Sequence, residues 1–174
     1  MADRQSLFLS FDHGQDDYWL VRFTDVFDNA FDIHSVRTVD LEAEDSQQYI
    51  RDLIQGGYIV DGTVLVVLLG AQTYARKMVD WEIAAALETK PTRASGVLGL
   101  RLPTHGDFGK NTVAPARIPK RLAENVKSGY CAVHDWTESE QQLQAWVNEA
   151  IRNARQKTHL VENTADPLKR DIVR

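Results

Sequence analysis

The segment Thr63-Val-Leu-Val-Val-Leu-Leu69 indicates the architecture of this chain. It is the most hydrophobic stretch of the sequence, it is rich in β-branched residues, and its apolar residues are consecutive rather than alternating. Both faces of such a strand must be buried, which is typical of a central strand in a parallel sheet with helices packed on each side. The segment therefore predicts an α/β fold.

Strand-like and helix-like segments alternate on both sides of this segment. The other strand-like runs are Leu7–Phe11, Phe31–Val36, Gly96–Leu102 and Tyr130–His134. Apolar residues at helical spacing predict a helix in each interval, with a short one around Lys120–Val126, and a long helix after Thr137. The order β-α-β-α-β-α-β-(α)-β-α predicts one parallel sheet with helices on both faces, because parallel crossovers are right-handed. Five strands favour a three-layer, flavodoxin-like fold with the strand order 2-1-3-4-5.

Short polar side chains predict where several helices begin, because they accept hydrogen bonds from the unpaired N–H groups of the first turn. The predicted helix ends are Asp16 or Asp17, Ser46 and Thr137 as N-caps, Glu140 as the capping-box partner of Thr137, and Pro91 at the end of the third helix.

The rest of the chain is expected to be irregular. A polar, acidic loop is predicted at Arg37–Asp45, and a long loop with glycines and prolines at Thr104–Lys127. One domain is expected over residues 1–161, followed by a polar tail at 162–174 that frays from about Glu162.

The composition argues against several classes of protein. The net charge of −5 at pH 7, with no basic stripe interleaved with aromatic residues, argues against nucleic acid as the main ligand. Cys131 is the one cysteine, and its apolar neighbours favour a core residue over a reactive thiol. A single thiol and scattered histidines predict no metal site. No apolar run is long enough for a membrane span and no signal-peptide pattern is present, so a cytoplasmic protein is expected.

The predicted topology places a ligand crevice between the carboxyl ends of the first and third strands, where the winding direction reverses. The loop Ser10–Asp17 and the segment Gly70–Trp81 meet there. The candidate residues are Ser10, Phe11, Asp12, Thr73, Tyr74, Arg76 and Trp81, with Glu82 directly after them. An aromatic ring, a hydroxyl, an arginine and a carboxylate together suit a nucleotide or a sugar.

Several familiar motifs are absent from the sequence. It has no Gly-x-Gly-x-x-Gly after the first strand, no P-loop, no His-Glu-x-x-His and no Gly-x-Ser-x-Gly. The third strand ends in Leu69-Gly70, where a receiver-type phosphoacceptor site needs an aspartate. These absences argue against Rossmann dinucleotide binding and against the commonest hydrolase and phosphotransfer sites.

Four short stretches carry a family resemblance: Leu7-Phe-Leu-Ser-Phe-Asp12, Val64-Leu-Val-Val-Leu-Leu-Gly70, Gln72-Thr-Tyr74 and Val79-Asp-Trp-Glu-Ile83. In this combination and at this spacing, the chain resembles the TIR-like domains of the Thoeris antiphage system. The resemblance extends from about Leu7 to Trp136. The Thr104–Lys127 segment has no clear counterpart in that family.

The resemblance implies an enzyme that cleaves the nicotinamide–ribose bond of NAD, with NAD as substrate and no cofactor. It implies that Glu82, on the helix after the third strand, is catalytic, and that Phe11 and Asp12 line the nucleotide pocket. It also implies a product of the cyclic ADP-ribose type that a separate effector protein detects during phage infection, and assembly into a homo-oligomer.

Other interpretations remain open from the residues alone. An acid near a helix start stabilises the helix dipole, which is a structural role for Glu82. Trp81 suits a pocket wall and a subunit contact equally well, and Arg76 suits either a solvated position or a phosphate contact. For the whole chain, the alternatives are a non-catalytic TIR-like adaptor that acts through protein contacts and a nucleotide- or nucleoside-type transferase on the same fold.

Overall fold

The computed structural model describes residues 4–36, 45–89 and 94–173. Helices and strands alternate along these residues, as the hydrophobic pattern predicts. The strands are β1 (Gln5–Ser10), β2 (Phe31–His34), β3 (Val64–Leu69), β4 (Gly96–Arg101) and β5 (Ala132–Asp135). The helices are α1 (Asp17–Phe27), α2 (Ser46–Gln55), α3 (Lys77–Ala86), α4 (Lys120–Ser128) and α5 (Glu140–Gln156). Three short 3-10 turns lie at Thr73–Ala75, Pro115–Arg117 and Thr158–Leu160.

The described strands form one five-stranded parallel sheet in the order β2-β1-β3-β4-β5. β3 lies at the centre between β1 and β4, and all six of its residues are buried. The predicted α/β class, parallel sheet and strand order are therefore confirmed.

Alternate strand residues point into two separate cores, because side chains along a strand alternate between the two faces of a sheet. On one face, Phe8 and Leu65 pack with Leu53, Val79 and Leu122 of helices α2, α3 and α4. On the other face, residues such as Leu7, Val64 and Val66 pack against α1 and α5. This arrangement is a three-layer sandwich of helix, sheet and helix.

Two helices are capped by residues that lie one or two positions away from the predicted N-caps. Asp45, rather than Ser46, caps α2, since its Oδ1 accepts from the backbone N–H of Gln48 at 2.8 Å. Ser139, rather than Thr137, caps α5 by accepting from the N–H of Gln142 at 3.1 Å. The predicted capping box of Thr137 and Glu140 is also wrong, because Glu140 is the first residue after the cap Ser139. In each case nearby polar residues can serve as the cap, and the backbone geometry of the approaching chain selects one of them.

At α1 the N-cap position is Asp16, as one of the two predicted alternatives, but its side chain makes no capping hydrogen bond. α3 ends at Ala86, before the residues around Pro91, and Pro91 lies outside the described residues. Most of the predicted loop Arg37–Asp45 also lies outside them.

The irregular segment between β4 and α4 is fixed by one buried arginine. Arg101 donates hydrogen bonds to the carbonyl oxygens of Asp107, Lys110 and Thr112 at 2.8–3.0 Å, and its Nε lies 2.6 Å from Asp135 Oδ1. The loop is therefore held as a shaped unit at the carboxyl end of β4, although it contains little regular structure.

The expectation of a frayed tail is wrong for the described residues beyond Glu162. The backbone there bonds to buried side chains of the helical layer: Asn125 exchanges two hydrogen bonds with Glu162, and Arg121 donates to the carbonyl oxygen of Ala165 at 2.9 Å. The backbone of the tail is held by buried polar side chains of the helical layer, and polar composition alone does not distinguish such a tail from a solvated one.

Within residues 4–36, 45–89 and 94–173, none of the helices combines the length and the hydropathy that a transmembrane span requires.

Candidate functional site

A polar pocket of about 260 Å³ lies at the carboxyl edge of the sheet, beside the ends of β1 and β3. This is the position that the topology predicts for a ligand crevice. Its lining residues come from four parts of the chain: Phe11, Asp12, His13 and Gln15 after β1; Val36 after β2 and Tyr49 on α2; Arg76, Lys77 and Met78 at the start of α3; and Asp171 near the C-terminus. Its volume is slightly below the ~300–1,000 Å³ that is usual for small-molecule sites.

Glu82 lies behind this pocket, fully buried in the second turn of α3 and only 1% exposed. The hydroxyl of Ser10, the last residue of β1, donates a hydrogen bond to Glu82 Oε1 at 3.1 Å. Burial raises the pKa of Glu82 to about 8, and the hydrogen bond from Ser10 opposes part of that shift. Near neutral pH the side chain is therefore mostly protonated in this conformation.

Tyr49 links the pocket to Glu82. It is 1% exposed, it lines the pocket, and its ring packs against Trp81 with the centroids 5.7 Å apart. Burial, and next the nearby carboxyl of Glu82, raise the pKa of the Tyr49 hydroxyl well above its ordinary value. Tyr49 therefore forms part of the wall between the pocket and Glu82, so a ligand needs a movement in this wall to reach that carboxyl.

Asp12 and Arg76 form an ion pair inside the pocket. Arg76 Nε lies 3.0 Å from Asp12 Oδ1, and Asp12 is 3% exposed. The second oxygen of Asp12, Oδ2, is buried and has no hydrogen-bond partner among the described residues. A carboxylate oxygen of this kind can accept from a ligand hydroxyl, such as one on a ribose ring.

A second carboxylate from the loop after β1 lies near Asp12. Asp16 is buried, and burial, together with the negative charge of Asp12, raises the pKa of Asp16 to about 6. Asp16 packs so closely on Gly70, at the end of β3, that a Cβ at residue 70 would lie only 2.2–2.7 Å from its carboxyl atoms. The glycine after β3 therefore allows the two loops of the crevice to approach each other.

The structure brings some of the predicted site residues together and separates others. Phe11, Asp12 and Arg76 line the polar pocket, and Ser10 reaches Glu82. Thr73 is buried and stabilises the turn after β3, since its Oγ1 accepts from Gly70 N–H at 2.8 Å and donates to Leu68 O.

Tyr74 and Trp81 do not line the polar pocket. Tyr74 lies on a separate apolar groove of about 680 Å³ beside α4. Trp81 is 3% exposed, and its indole N–H donates to the carbonyl oxygen of Leu168 at 2.7 Å. Trp81 is thus covered by the C-terminal residues of its own chain and by Tyr49, rather than facing a ligand in this conformation.

Three pocket residues lie outside the two loops that the sequence predicts to meet at the crevice: Val36, Tyr49 and Asp171. Val36 ends the second predicted strand, Tyr49 lies in the interval where the sequence predicts the second helix, and Asp171 lies in the tail predicted to fray. His13, in the loop after β1, packs against Phe11 with the ring centroids 4.1 Å apart and the rings tilted by 32°. Local sequence patterns contain no signal that brings Tyr49 and Asp171 to this pocket, because both are distant in sequence from its loops.

Taken together, these features define a class: a doubly wound parallel α/β domain with a polar pocket at its topological switch point and a buried glutamate beside it. The family model described as "Thoeris protein ThsB, TIR-like domain" matches residues 8–107, more than half of the chain, and the chain belongs to this family. The match includes the second half of β1, all of β3, the loops after both strands and Glu82. Membership of this family supports a role in phage defence. No curated protein matches the chain by sequence.

Proposed function

We propose that the protein cleaves the N-glycosidic bond of NAD, releases nicotinamide and produces a cyclic ADP-ribose-type signal in phage defence. The observation that most supports this proposal is the buried hydrogen-bonded pair of Ser10 and Glu82, which lies directly behind a polar pocket at the topological switch point. Glu82 occupies the position on the helix after the third strand where the family resemblance implies a catalytic glutamate.

The chemistry suits a single carboxylate. The bond between the ribose carbon and the nicotinamide nitrogen breaks, and its electron pair leaves with nicotinamide as a neutral group, so no acid is needed to protonate the leaving group. A carboxylate beside the ribose stabilises the positive charge that develops on the sugar. Attack on the ribosyl carbon by a nucleophile of the adenosine end, which gives up its proton, closes the cyclic product in place of attack by water when the site excludes solvent.

The resting site must open and ionise before it acts. A pocket of about 260 Å³ accommodates only part of a dinucleotide, and Glu82 is separated from it by a wall that includes Tyr49. The nicotinamide ring of NAD is cationic, and an approaching cation lowers the pKa of a buried carboxyl. Substrate entry and ionisation of Glu82 are therefore coupled in this proposal.

The residues of the polar pocket can bind the rest of the NAD molecule. Asp12 Oδ2 is an acceptor for a ribose hydroxyl, and Arg76 and the N-terminal turn of α3 suit a phosphate group. Phe11 offers a ring surface at the pocket wall. In this proposal a separate effector protein reads the product, and the chain assembles into a homo-oligomer.

The second candidate is a non-catalytic adaptor that acts through protein contacts. The observation that favours it is the closed state of Glu82, which is 1% exposed and held by Ser10. An adaptor needs no access to this carboxyl, whereas an enzyme does.

The experiment is nicotinamide release from NAD, followed by liquid chromatography and mass spectrometry. The purified full chain is incubated with NAD alone, and with lysates of uninfected and phage-infected cells. The variants are Glu82→Gln and the matched control Glu88→Gln, which changes the same residue type two positions after the last residue of α3. We expect the wild type and the control to release nicotinamide and to form a cyclised product, and Glu82→Gln to lose about 10²-fold or more of the rate.

A fully active Glu82→Gln variant would contradict the mechanism. Absence of turnover in all three conditions, together with unimpaired binding of NAD, would favour the adaptor.

A further inference from the structure

The C-terminal segment, defined here as residues 161–173, is fastened to α3 and α4 by buried polar groups. Arg121 is 2% exposed and forms an ion pair with Asp80 on α3, with 2.9 Å between Nε and Oδ1. Asp80 Oδ2 in turn accepts from the backbone N–H of Leu168 at 2.9 Å, and Trp81 donates to the carbonyl of the same residue. These contacts hold the segment in place as it passes from α4 to α3.

The far end of the segment reaches the polar pocket. The backbone N–H of Ile172 donates to the carbonyl oxygen of Ala75 at 2.8 Å, just before α3. This bond places the side chain of Asp171 against the first residues of α3, and Asp171 is one of the residues that line the pocket. The segment therefore contributes a wall of the candidate site.

The Asp171 carboxylate occupies a position built for an oxyanion. Its Oδ1 accepts from the backbone N–H of Lys77 at 2.9 Å, and its Oδ2 lies 3.3 Å from Arg76 Nη1. A first-turn N–H group, the positive end of the α3 dipole and a guanidinium together form a common arrangement for binding phosphate groups. Asp171 is the group that satisfies them in this structure.

A second observation points to a ligand at the same place. Asp12 also pairs with Arg76 and lines the same pocket, and its buried Oδ2 has no hydrogen-bond partner among the described residues. An acceptor for a hydroxyl thus lies beside a site for an anion. This combination of groups matches a nucleoside diphosphate, whose ribose hydroxyls and phosphate oxygens are close together.

We propose that the C-terminal segment is an intramolecular competitor for the ligand of this pocket. Asp171 fills the oxyanion site formed by Arg76 and the Lys77 N–H, and a nucleoside diphosphate binds there only when this carboxylate leaves. The segment then controls access to the pocket, because its last residues move away as the ligand enters. The identity of the ligand as NAD rests on the proposed function, whereas the competition for the oxyanion site does not.

The test is a titration of the full chain with inorganic pyrophosphate, which probes the oxyanion site alone, and in a parallel arm with ADP-ribose. The variants are Asp171→Asn and Asp171→Ala, and the matched control is Asp166→Asn, an exposed aspartate in the same segment. Because a competitor reduces the apparent affinity by the fraction of molecules with a free site, we expect both Asp171 variants to bind pyrophosphate about tenfold more tightly than the control and the wild type. Affinities equal within twofold, or weaker binding by the Asp171 variants, would overturn the proposal.

Hydrogen exchange provides an independent measurement on the wild type. Saturating pyrophosphate should accelerate exchange at the backbone N–H of Ile172, since its bond to Ala75 breaks when the segment leaves. Unchanged or slower exchange at this amide would contradict the displacement.

The two proposals can fail separately. If tighter pyrophosphate binding is found but ADP-ribose shows no difference, the competition stands and the nucleotide assignment fails. If pyrophosphate shows no difference while NAD is cleaved, the competition fails and the proposed function stands.

Discussion

The hydroxyl of Ser10 donates a 3.1 Å hydrogen bond to Glu82 Oε1 inside the protein, between the end of the first strand and the helix that follows the third. This bond joins the two halves of the topological switch point. It also opposes the effect of burial, which raises the pKa of Glu82 to about 8. The protonation state of Glu82 therefore depends on this contact.

The proposed activity should depend on pH through the ionisation of Glu82. The carboxylate is the form that stabilises a positive ribosyl group, and the pH profile of kcat/KM reports the pKa of groups in the free enzyme. We expect kcat/KM for nicotinamide release to fall as the pH drops below about 8. In Ser10→Ala the pKa of Glu82 rises further because a hydrogen bond to the charged form is lost, so the acid limb moves to higher pH. The control is Ser6→Ala, at the opposite end of the same strand; a superimposable profile for Ser10→Ala would contradict this role.

The stability of the protein should depend on the same proton. Folded Glu82 holds its proton up to about pH 8, whereas the unfolded chain releases it near the ordinary value of 4.5. The folded state therefore binds more protons between these values, and its free energy of unfolding falls as the pH rises through this interval. Glu82→Gln removes this dependence.

We expect Glu82→Gln to become progressively more stable than the wild type between pH 4.5 and 8, by up to about 1.4 kcal/mol per pH unit. Urea denaturation at several pH values measures the difference, with Glu88→Gln as the control that should show no such trend. A constant difference between Glu82→Gln and the wild type across the interval would contradict burial of a neutral carboxyl.

Much of the fold could be predicted because its determinants are local. The continuous apolar run of β3 and the helical spacing on each side of it require burial on both faces, and this pattern leaves few parallel topologies. The caps at Asp45 and Ser139 could not be assigned in this way, since Asp45 and Ser46 are equally suitable residue types and tertiary geometry selects between them.

The candidate site was predictable only in part, because some of its contacts depend on tertiary geometry rather than on local sequence patterns. The end of β1 and the start of α3 meet because of the strand order, so Asp12 and Arg76 could be placed together from topology. Asp171 could not, because it is separated by more than 90 residues from Arg76 and Lys77, to which it bonds. Its position depends on the buried pair of Arg121 and Asp80, and neither residue carries a pattern that predicts burial of a charge.

The ion pair between Arg121 and Asp80 should be important for stability when only one partner is removed. Both side chains are almost fully buried, at 2% and 7% exposure. Arg121→Met leaves the carboxylate of Asp80 without its cation, and we expect a loss of about 3–5 kcal/mol in the free energy of unfolding. The double variant Asp80→Asn with Arg121→Met should lose less than the single variant. Arg22→Met removes an exposed pair with Glu138, which water screens, and should cost much less than Arg121→Met. Equal losses for Arg121→Met and Arg22→Met would contradict the buried role.

Gly96, the first residue of β4, should tolerate no side chain, because α5 approaches the sheet there. A Cβ at this position would lie 2.8 Å from the carbonyl oxygen of Ala150 and 2.9 Å from its carbonyl carbon. These are backbone atoms in the middle of α5, so the helix or the strand must shift, and we expect Gly96→Ala to cost about 1–3 kcal/mol. Gly106→Ala is the control: its Cβ would meet the guanidinium of Arg117, a half-exposed side chain that can move away, and the expected cost is within about 1 kcal/mol. Urea denaturation at pH 7 measures both, and a Gly96→Ala variant as stable as Gly106→Ala would show that α5 is not pressed against the start of β4.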